Sequence, residues 1–166
     1  YPYNSISIYA FHPMYIDLNQ LGKMKDKEAL AVFEARRQEL NALPQIDYEE
    51  VNNAKRAYLK VMFQQTGRKV LASDEFKRFF EENEHWLLPY AAFSYLRDLY
   101  GTPDFSQWPE HTEYKAEEIA ALCAPDSSCY EEIAFYYYTQ YHLHIQLLDA
   151  GNYAREKGII FKGDIP

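Results

Sequence analysis

The stretch from Ile133 to Leu148, IAFYYYTQYHLHIQLL, is apolar on nearly every side of a helix. A helix of that kind has to be covered on several sides at once. Ser127 or Ser128 can cap it, and it is expected to run from about Tyr130 to Lys157, roughly 40 Å at ~1.5 Å per residue. The rest of the chain must therefore supply other apolar helices around it. With 166 residues, 48% of them hydrophobic and 17% aromatic, there is enough material for one domain with a substantial core. No apolar run reaches the ~20 residues that a membrane span needs.

The remaining helices are legible from spacing and caps. Asp26 can cap a helix to about Leu40, with Ala29, Leu30, Phe33 and Leu40 on one stripe. A second helix starts at Tyr48, carries Val51, Ala54, Tyr58 and Met62 at helical spacing, and is expected to stop at Gly67. Ser73 caps a third, with Phe76, Phe79 and Phe80 inward, and ENEH is expected to interrupt it. A fourth runs from about Trp86 to Tyr100, with Pro89 in its first turn and Gly101 at its end. After the loop GTPDFSQWPEHTE a short helix is expected from about Tyr114 to Ala124.

Both ends read differently. Residues 1–21 are extended or loop-like, because Pro2 and Pro13 disfavour helix before them and SISIYAF is β-branched and aromatic. At the other end Gly158 stops the long helix, and GIIFKGDIP reads as a strand. Helix, glycine and strand make the second half of a βαβ unit. A lone strand needs neighbours to pair its backbone groups. In parallel barrels, functional groups sit at the C-terminal ends of strands, which is where Asp164 stands. The expected organisation is an extended segment over 1–21, a helical body over 22–157 and a strand over 158–166. The missing initial Met and the abrupt finish lead us to expect a piece of a longer protein.

Several chemistries are disfavoured. With 25 acids against 17 bases the net charge is −8, and the small basic clusters EARRQEL and TGRKV lie beside acids. Nucleic-acid or anionic-membrane binding needs a basic face, so neither partner is expected. No secretory signal is visible in the first residues. Cys123 and Cys129 are too few for a disulfide framework or a zinc site, and read as idle thiols of a cytoplasmic protein. Glu82 and His85 have the spacing found in carboxylate-bridged di-metal bundles, which require two such motifs and two further glutamates. His142 and His144 point to different helix faces. No metal and no cofactor is expected, and no Gly-rich phosphate loop or nucleophile elbow occurs. The paired glutamates at 49–50, 81–82, 117–118 and 131–132 read as solvated faces or first-turn acids.

The aromatics admit sugar stacking, since Tyr and Trp pair an apolar face with a polar tip. Trp86 and Trp108 are candidates. Among loop residues, Tyr3, Tyr9, Phe105 and Trp108 are better placed for a ligand, with packing the expectation for any single one.

Three blocks, taken together and in order, carry a family resemblance. SISIYAFHPMYIDL resembles the SxYAxNPxxIDL segment of the 4-α-glucanotransferases, the amylomaltase or disproportionating-enzyme type of glycoside hydrolase family 77. WLLPYAAFSYLRDLYG, followed by Trp108 and Pro109, resembles the next block. YYYTQYHLHIQLLDAGNYAREKGIIFKGDIP resembles the block in which a long Gln-bearing helix leads into Gly-Asp-x-Pro. HPMY and YYTQYHLHIQL are most similar to the larger form that carries N-terminal starch-binding modules.

The resemblance implies a mainly α chain that is the helical subdomain of a (β/α)8 TIM-barrel enzyme, with an N-terminal extended segment and a C-terminal barrel strand. It implies transfer of α-1,4-glucan segments between maltodextrin or maltose donors and glucan acceptors, with retention. The catalytic acids would come from later strands, outside residues 1–166. Ser7 and Tyr9 would line the sugar subsites. His12 stands where many members have Asn, and would bond a sugar or fix the loop. Asp164 would help order the catalytic acids. The blander alternatives are a local backbone cap for Ser7, packing for Tyr9 and a loop-ordering acid for Asp164. Two rival functions stay open: a non-catalytic helical interaction or sugar-binding module, and a related barrel α-glycosidase.

Overall fold

A computed structural model describes residues 6–163. Five α-helices carry the fold: α1 (Lys27–Asn41), α2 (Tyr48–Leu71), α3 (Asp74–Tyr100), α4 (Ala116–Leu122) and α5 (Tyr130–Glu156). Three short 3₁₀ turns lie at Pro13–Tyr15, Leu18–Leu21 and Phe105–Gln107. The most extensive contact is between α3 and α5, with α2 also on α5, α1 on α2 and α4 on α3.

The expected central helix is central. Residues Ile133 to Gln140 of α5 are buried without a break. Met62 of α2, and Leu87, Ala91 and Ala92 of α3, are wholly buried in the same core. Phenylalanines and tyrosines fill the seams edge to face: Phe63 meets Tyr138 at 5.3 Å, and Phe80 meets Tyr137 at 5.1 Å.

The caps at Asp26 and Ser73 are present. The Asp26 carboxylate accepts from the Glu28 and Ala29 N–H groups, and Ser73 Oγ accepts from the Phe76 N–H. Gly101 ends α3 in the left-handed region with φ 70°, a conformation that glycine adopts at little cost.

Three sequence expectations for the helices are corrected. First, α2 does not stop at Gly67 but runs on to Leu71. Gly67 is buried, and a Cβ there would stand 2.5 Å from Phe63 Cδ2. The glycine leaves room for a packed ring and does not mark a terminus. Second, the expected third and fourth helices are one helix. ENEH does not break it, because Asn83 Nδ2 donates to the Phe79 carbonyl and Asn83 Oδ1 accepts from Trp86 Nε1. Pro89 consequently lies inside α3, not in a first turn. An interior proline costs about 3 kcal/mol, and here it is flanked by the fully buried Leu87, Ala91 and Ala92. Third, neither Ser127 nor Ser128 caps α5. Cys129 holds the cap position without a side-chain bond, and Ser127 Oγ accepts from the Cys129 N–H at 3.4 Å. The short helix α4 is also tighter than expected, at seven residues.

The expected C-terminal strand is not formed among the described residues. Gly158 does end α5, with φ 73°. Residues 159–163 follow without strand pairing, and no strand occurs among the described residues. Ile160 and Phe161 are 90% and 66% exposed, so neither ladder nor core holds them. A strand exists only with a partner, and the described residues offer none. Asp164 lies outside the described residues.

The described part of the N-terminal segment is extended between its 3₁₀ turns and is not loose. It lies across α2 and α5, with Ile16, Leu21 and Met24 buried beneath it. Among the described residues, no helix is long and apolar enough to cross a membrane.

Candidate functional site

Of the residues singled out near the start, Tyr9 packs on α3, whereas Ser7 and His12 make local bonds to the backbone of the segment. Tyr9, 54% exposed, stacks on Trp86 with ring centroids 6.0 Å apart and planes 24° from parallel. It meets His85 edge-on at 5.8 Å. Trp86 is held from behind by Asn83, and its ring contacts Tyr90 at 6.1 Å. The result is an aromatic shelf with one side open, built by consecutive turns of α3. A flat, half-exposed aromatic with a hydroxyl at its rim is suited to the apolar face of a pyranose ring.

Ser7 is half-buried, and its Oγ accepts from the Tyr9 N–H at 3.2 Å. This is the local backbone cap expected as the bland alternative, and it also orients the peptide carrying Tyr9. His12 is exposed, and its Nδ1 accepts from the Met14 N–H at 3.2 Å, capping the first 3₁₀ turn. Partial burial, with a contribution from the positive charge of Arg97, lowers its pKa. It therefore stands neutral above its ordinary range, with Nδ1 engaged. Tyr3 and Asp164 lie outside the described residues.

The loop aromatics divide. Phe105 is 51% exposed, whereas Trp108 is buried, donates from Nε1 to the Thr102 carbonyl and packs on Phe93 and Tyr100. Trp108 is thus a packing residue and is withdrawn as a ligand contact. Glu82 and His85 share one helix, and no group of three or more metal-ligating side chains occurs among the described residues.

What sequence reasoning missed is how the segment is held. Gln140 lies 1% exposed in the middle of α5. Its Oε1 accepts from the Phe11 N–H at 2.9 Å, and its Nε2 donates to the Phe11 carbonyl at 2.8 Å and to Tyr90 Oη at 3.2 Å. Gln146 does the same for Asp17, at 2.8 and 3.0 Å. Gln65 of α2 accepts from the Lys25 N–H at 2.7 Å and donates to the Lys23 carbonyl at 2.9 Å. Lys55 Nζ donates to the Met14 and Ile16 carbonyls at 2.6 and 2.9 Å. Side chains thus supply the partners that a neighbouring strand would otherwise give. The available signal was Gln140 itself, a polar residue inside an apolar stretch, since a buried amide must be paired.

Beside Arg97 lies a depression of about 490 Å³ whose wall includes Arg56, Lys60 and Asp98. Asp98 accepts hydrogen bonds from Arg56, from the Tyr136 hydroxyl and from Arg97 Nε. Burial pushes its pKa up, and the bonds from Arg56 and Tyr136 with the charge of Arg97 outweigh burial and bring it below the usual range. Asp17 is also lowered, chiefly by the Asn19 N–H. Both carboxyls are held ionised. A general acid for glycoside cleavage needs the opposite shift.

The geometry therefore offers a half-exposed aromatic wall, and neither Asp98 nor Asp17 is shifted as a general acid would be. The family model described as 4-alpha-glucanotransferase, glycoside hydrolase family 77, matches residues 1–166. The rice (Oryza sativa subsp. japonica) protein named 4-alpha-glucanotransferase DPE2 is 39% identical over all of this chain, which covers 17% of it. The 4-alpha-glucanotransferase of Chlamydia muridarum is 30% identical over 99% of the chain, and that of Clostridium butyricum 26% over 99%, the chain covering 31% and 33% of them. The chain thus spans a third or less of the length of these curated relatives. No solved structure matches. Because the family model runs along every residue from the Tyr9 wall to the end of α5 and beyond, the chain belongs to the 4-alpha-glucanotransferases of glycoside hydrolase family 77.

Proposed function

We propose that this chain is the substrate-lining, mainly helical part of a retaining 4-α-glucanotransferase. Such an enzyme moves α-1,4-glucan segments from maltodextrin or maltose donors to glucan acceptors. In that chemistry one carboxylate attacks the anomeric carbon and a second protonates the leaving oxygen. An acceptor hydroxyl then takes the place of water and releases the glycosyl-enzyme. Both acids belong to parts of the enzyme outside residues 1–166. Residues 158–166 would form a barrel strand once strands of a (β/α)8 barrel lie beside them. Asp164 would order the acids at its tip, residues 22–157 would be the helical subdomain, and the whole would work in the cytoplasm.

The observation that carries this reading is the half-exposed Tyr9 ring stacked on Trp86, in the same short segment as Ser7 and His12. Tyr9 presents a ring face and a hydroxyl to a glucose unit, while Ser7 and His12 set the loop and offer polar contacts at its margin. Testing requires the whole enzyme, so the variant belongs in a full-length family member whose matched segment is replaced by this chain. Tyr9→Ala is expected to lower kcat/KM for maltotriose disproportionation about 10- to 100-fold, the loss of one aromatic platform and its ordering of the loop. An unchanged kcat/KM would remove Tyr9 from the substrate path.

One observation favours a second reading. The described residues bury a continuous core of their own, and residues 159–163 leave it unpaired. That is the form of a non-catalytic, sugar-binding helical module. Binding of maltoheptaose without transfer in any longer context would support that reading. A related α-glycosidase would instead release glucose without making longer chains.

A further inference from the structure

We propose that Gln140 and Gln146 are positioning residues that set the register of the substrate-facing segment, and through it the placement of Tyr9 and His12. The inference deepens the sugar-lining reading of residues 7–12 and rests on it.

Each glutamine bonds both backbone groups of one residue, and each pair is separated by 129 positions: Phe11 with Gln140, and Asp17 with Gln146. Six residues along α5 advance about 9 Å at ~1.5 Å per residue. Six extended residues would span about 20 Å. The six residues of α5 also turn the helix by about 240°, which adds a sideways offset between the two amides, so the segment must fall short of full extension between them. It does so at Pro13–Tyr15, where the Tyr15 N–H donates to the His12 carbonyl at 3.1 Å and the Ile16 N–H to the Pro13 carbonyl at 3.2 Å. Proline at the start of that turn pre-sets φ. Lys55 takes up the Met14 and Ile16 carbonyls inside it. His12 caps that turn by accepting from the Met14 N–H, so the turn between the two clamps sets where its ring stands. Tyr9 lies two residues before the first clamp, over Trp86.

A slip of one residue would turn Phe11 away from Gln140 and leave a buried amide unpaired, which is costly. The clamps therefore choose one register among several.

Gln146 is the practical test, because it is half-buried and its loss spares the core. In the full-length chimera, Gln146→Met keeps the side-chain length and removes both bonds. Amide exchange over residues 11–17 should accelerate at least tenfold, KM for maltotriose should rise about three- to tenfold, and kcat should stay within twofold. Gln146→Glu, which still accepts from the Asp17 N–H, should recover part of both effects. Unchanged exchange overturns the clamp. Faster exchange with unchanged KM, while Tyr9→Ala does raise KM, overturns the positioning role. If Tyr9→Ala is silent as well, it is the sugar-lining reading that falls. Gln140→Met should act in the same direction with a larger loss of stability.

Discussion

Between pH 6.5 and pH 4 the wild-type chain should lose about 3 kcal/mol of stability that a His142→Leu variant does not lose. His142 is 8% exposed in α5, its ring lies 4.3 Å from that of Tyr138, and neither ring nitrogen has a hydrogen-bond partner. Burial pushes its pKa down to about 4 from an ordinary 6.5. The unfolded chain therefore takes up a proton through that window and the folded chain does not. Stability from the neutral imidazole is full above about 6.5 and is lost as the pH falls toward 4. A shift of this size corresponds to about 3 kcal/mol at ~1.4 kcal/mol per unit. His142→Leu removes the titration along with two unpaired polar atoms, so it should also gain about 1 kcal/mol at pH 7. Urea unfolding of both proteins at pH 7, 5.5 and 4.5 gives the difference directly. Equal slopes with pH would mean that the imidazole finds a partner or water when charged.

Asp98→Asn should cost about 2–4 kcal/mol at pH 7. Asp98 and its neighbour Arg97 are on α3, Arg56 is on α2 and Tyr136 on α5, so this carboxylate joins three helices. Arg56 Nη2 also donates to the Tyr136 hydroxyl at 3.0 Å. The side chains of Asp98 and Arg56 are 24% and 31% exposed. Removing the charge leaves two guanidinium groups around a neutral amide, and an uncompensated, partly buried charge is the expensive outcome. The effect has its own pH signature. Asp98 has a depressed pKa, so its stabilisation is present above about 3.8 and disappears only below it. The His142 loss runs mainly above about pH 4, and the Asp98 loss lies below about 3.8. Thermal unfolding of wild type and Asp98→Asn at pH 7 and pH 3 should show a larger gap at the first than at the second. A gap of the same size at both would contradict the account.

The two titrating sites illustrate what could and could not be read from the sequence. His142 was legible as a packed core histidine because it sits in an apolar stretch. Its want of any partner was not, since that depends on what α2 and α3 bring to it. Helix starts at Asp26 and Ser73 followed from local capping chemistry and are where they were expected. Gly67 and Pro89 misled because propensity is a local cost of about 1–3 kcal/mol that packing overrode. In both places the deciding neighbours are core groups: the Phe63 ring, and the buried surface of α3 against α5. The surface of Ser7, Tyr9 and His12 was legible as a run of residues. Its backing by Trp86 and Gln140 was not, because Trp86 stacks on Tyr9 across 77 positions and Gln140 bonds Phe11 across 129. The expected strand after Gly158 depends on partners that the described residues do not contain.

The central claim is that this chain shapes the sugar path and that the reacting acids lie elsewhere. Maltotriose tests it most directly, given to the helical chain alone and to the full-length chimera that carries it. The account predicts glucose together with maltopentaose and longer products from the chimera, and neither from the isolated chain, with circular dichroism showing the latter to be helical. Glucose and maltopentaose from the isolated chain, or an inert chimera, would contradict it.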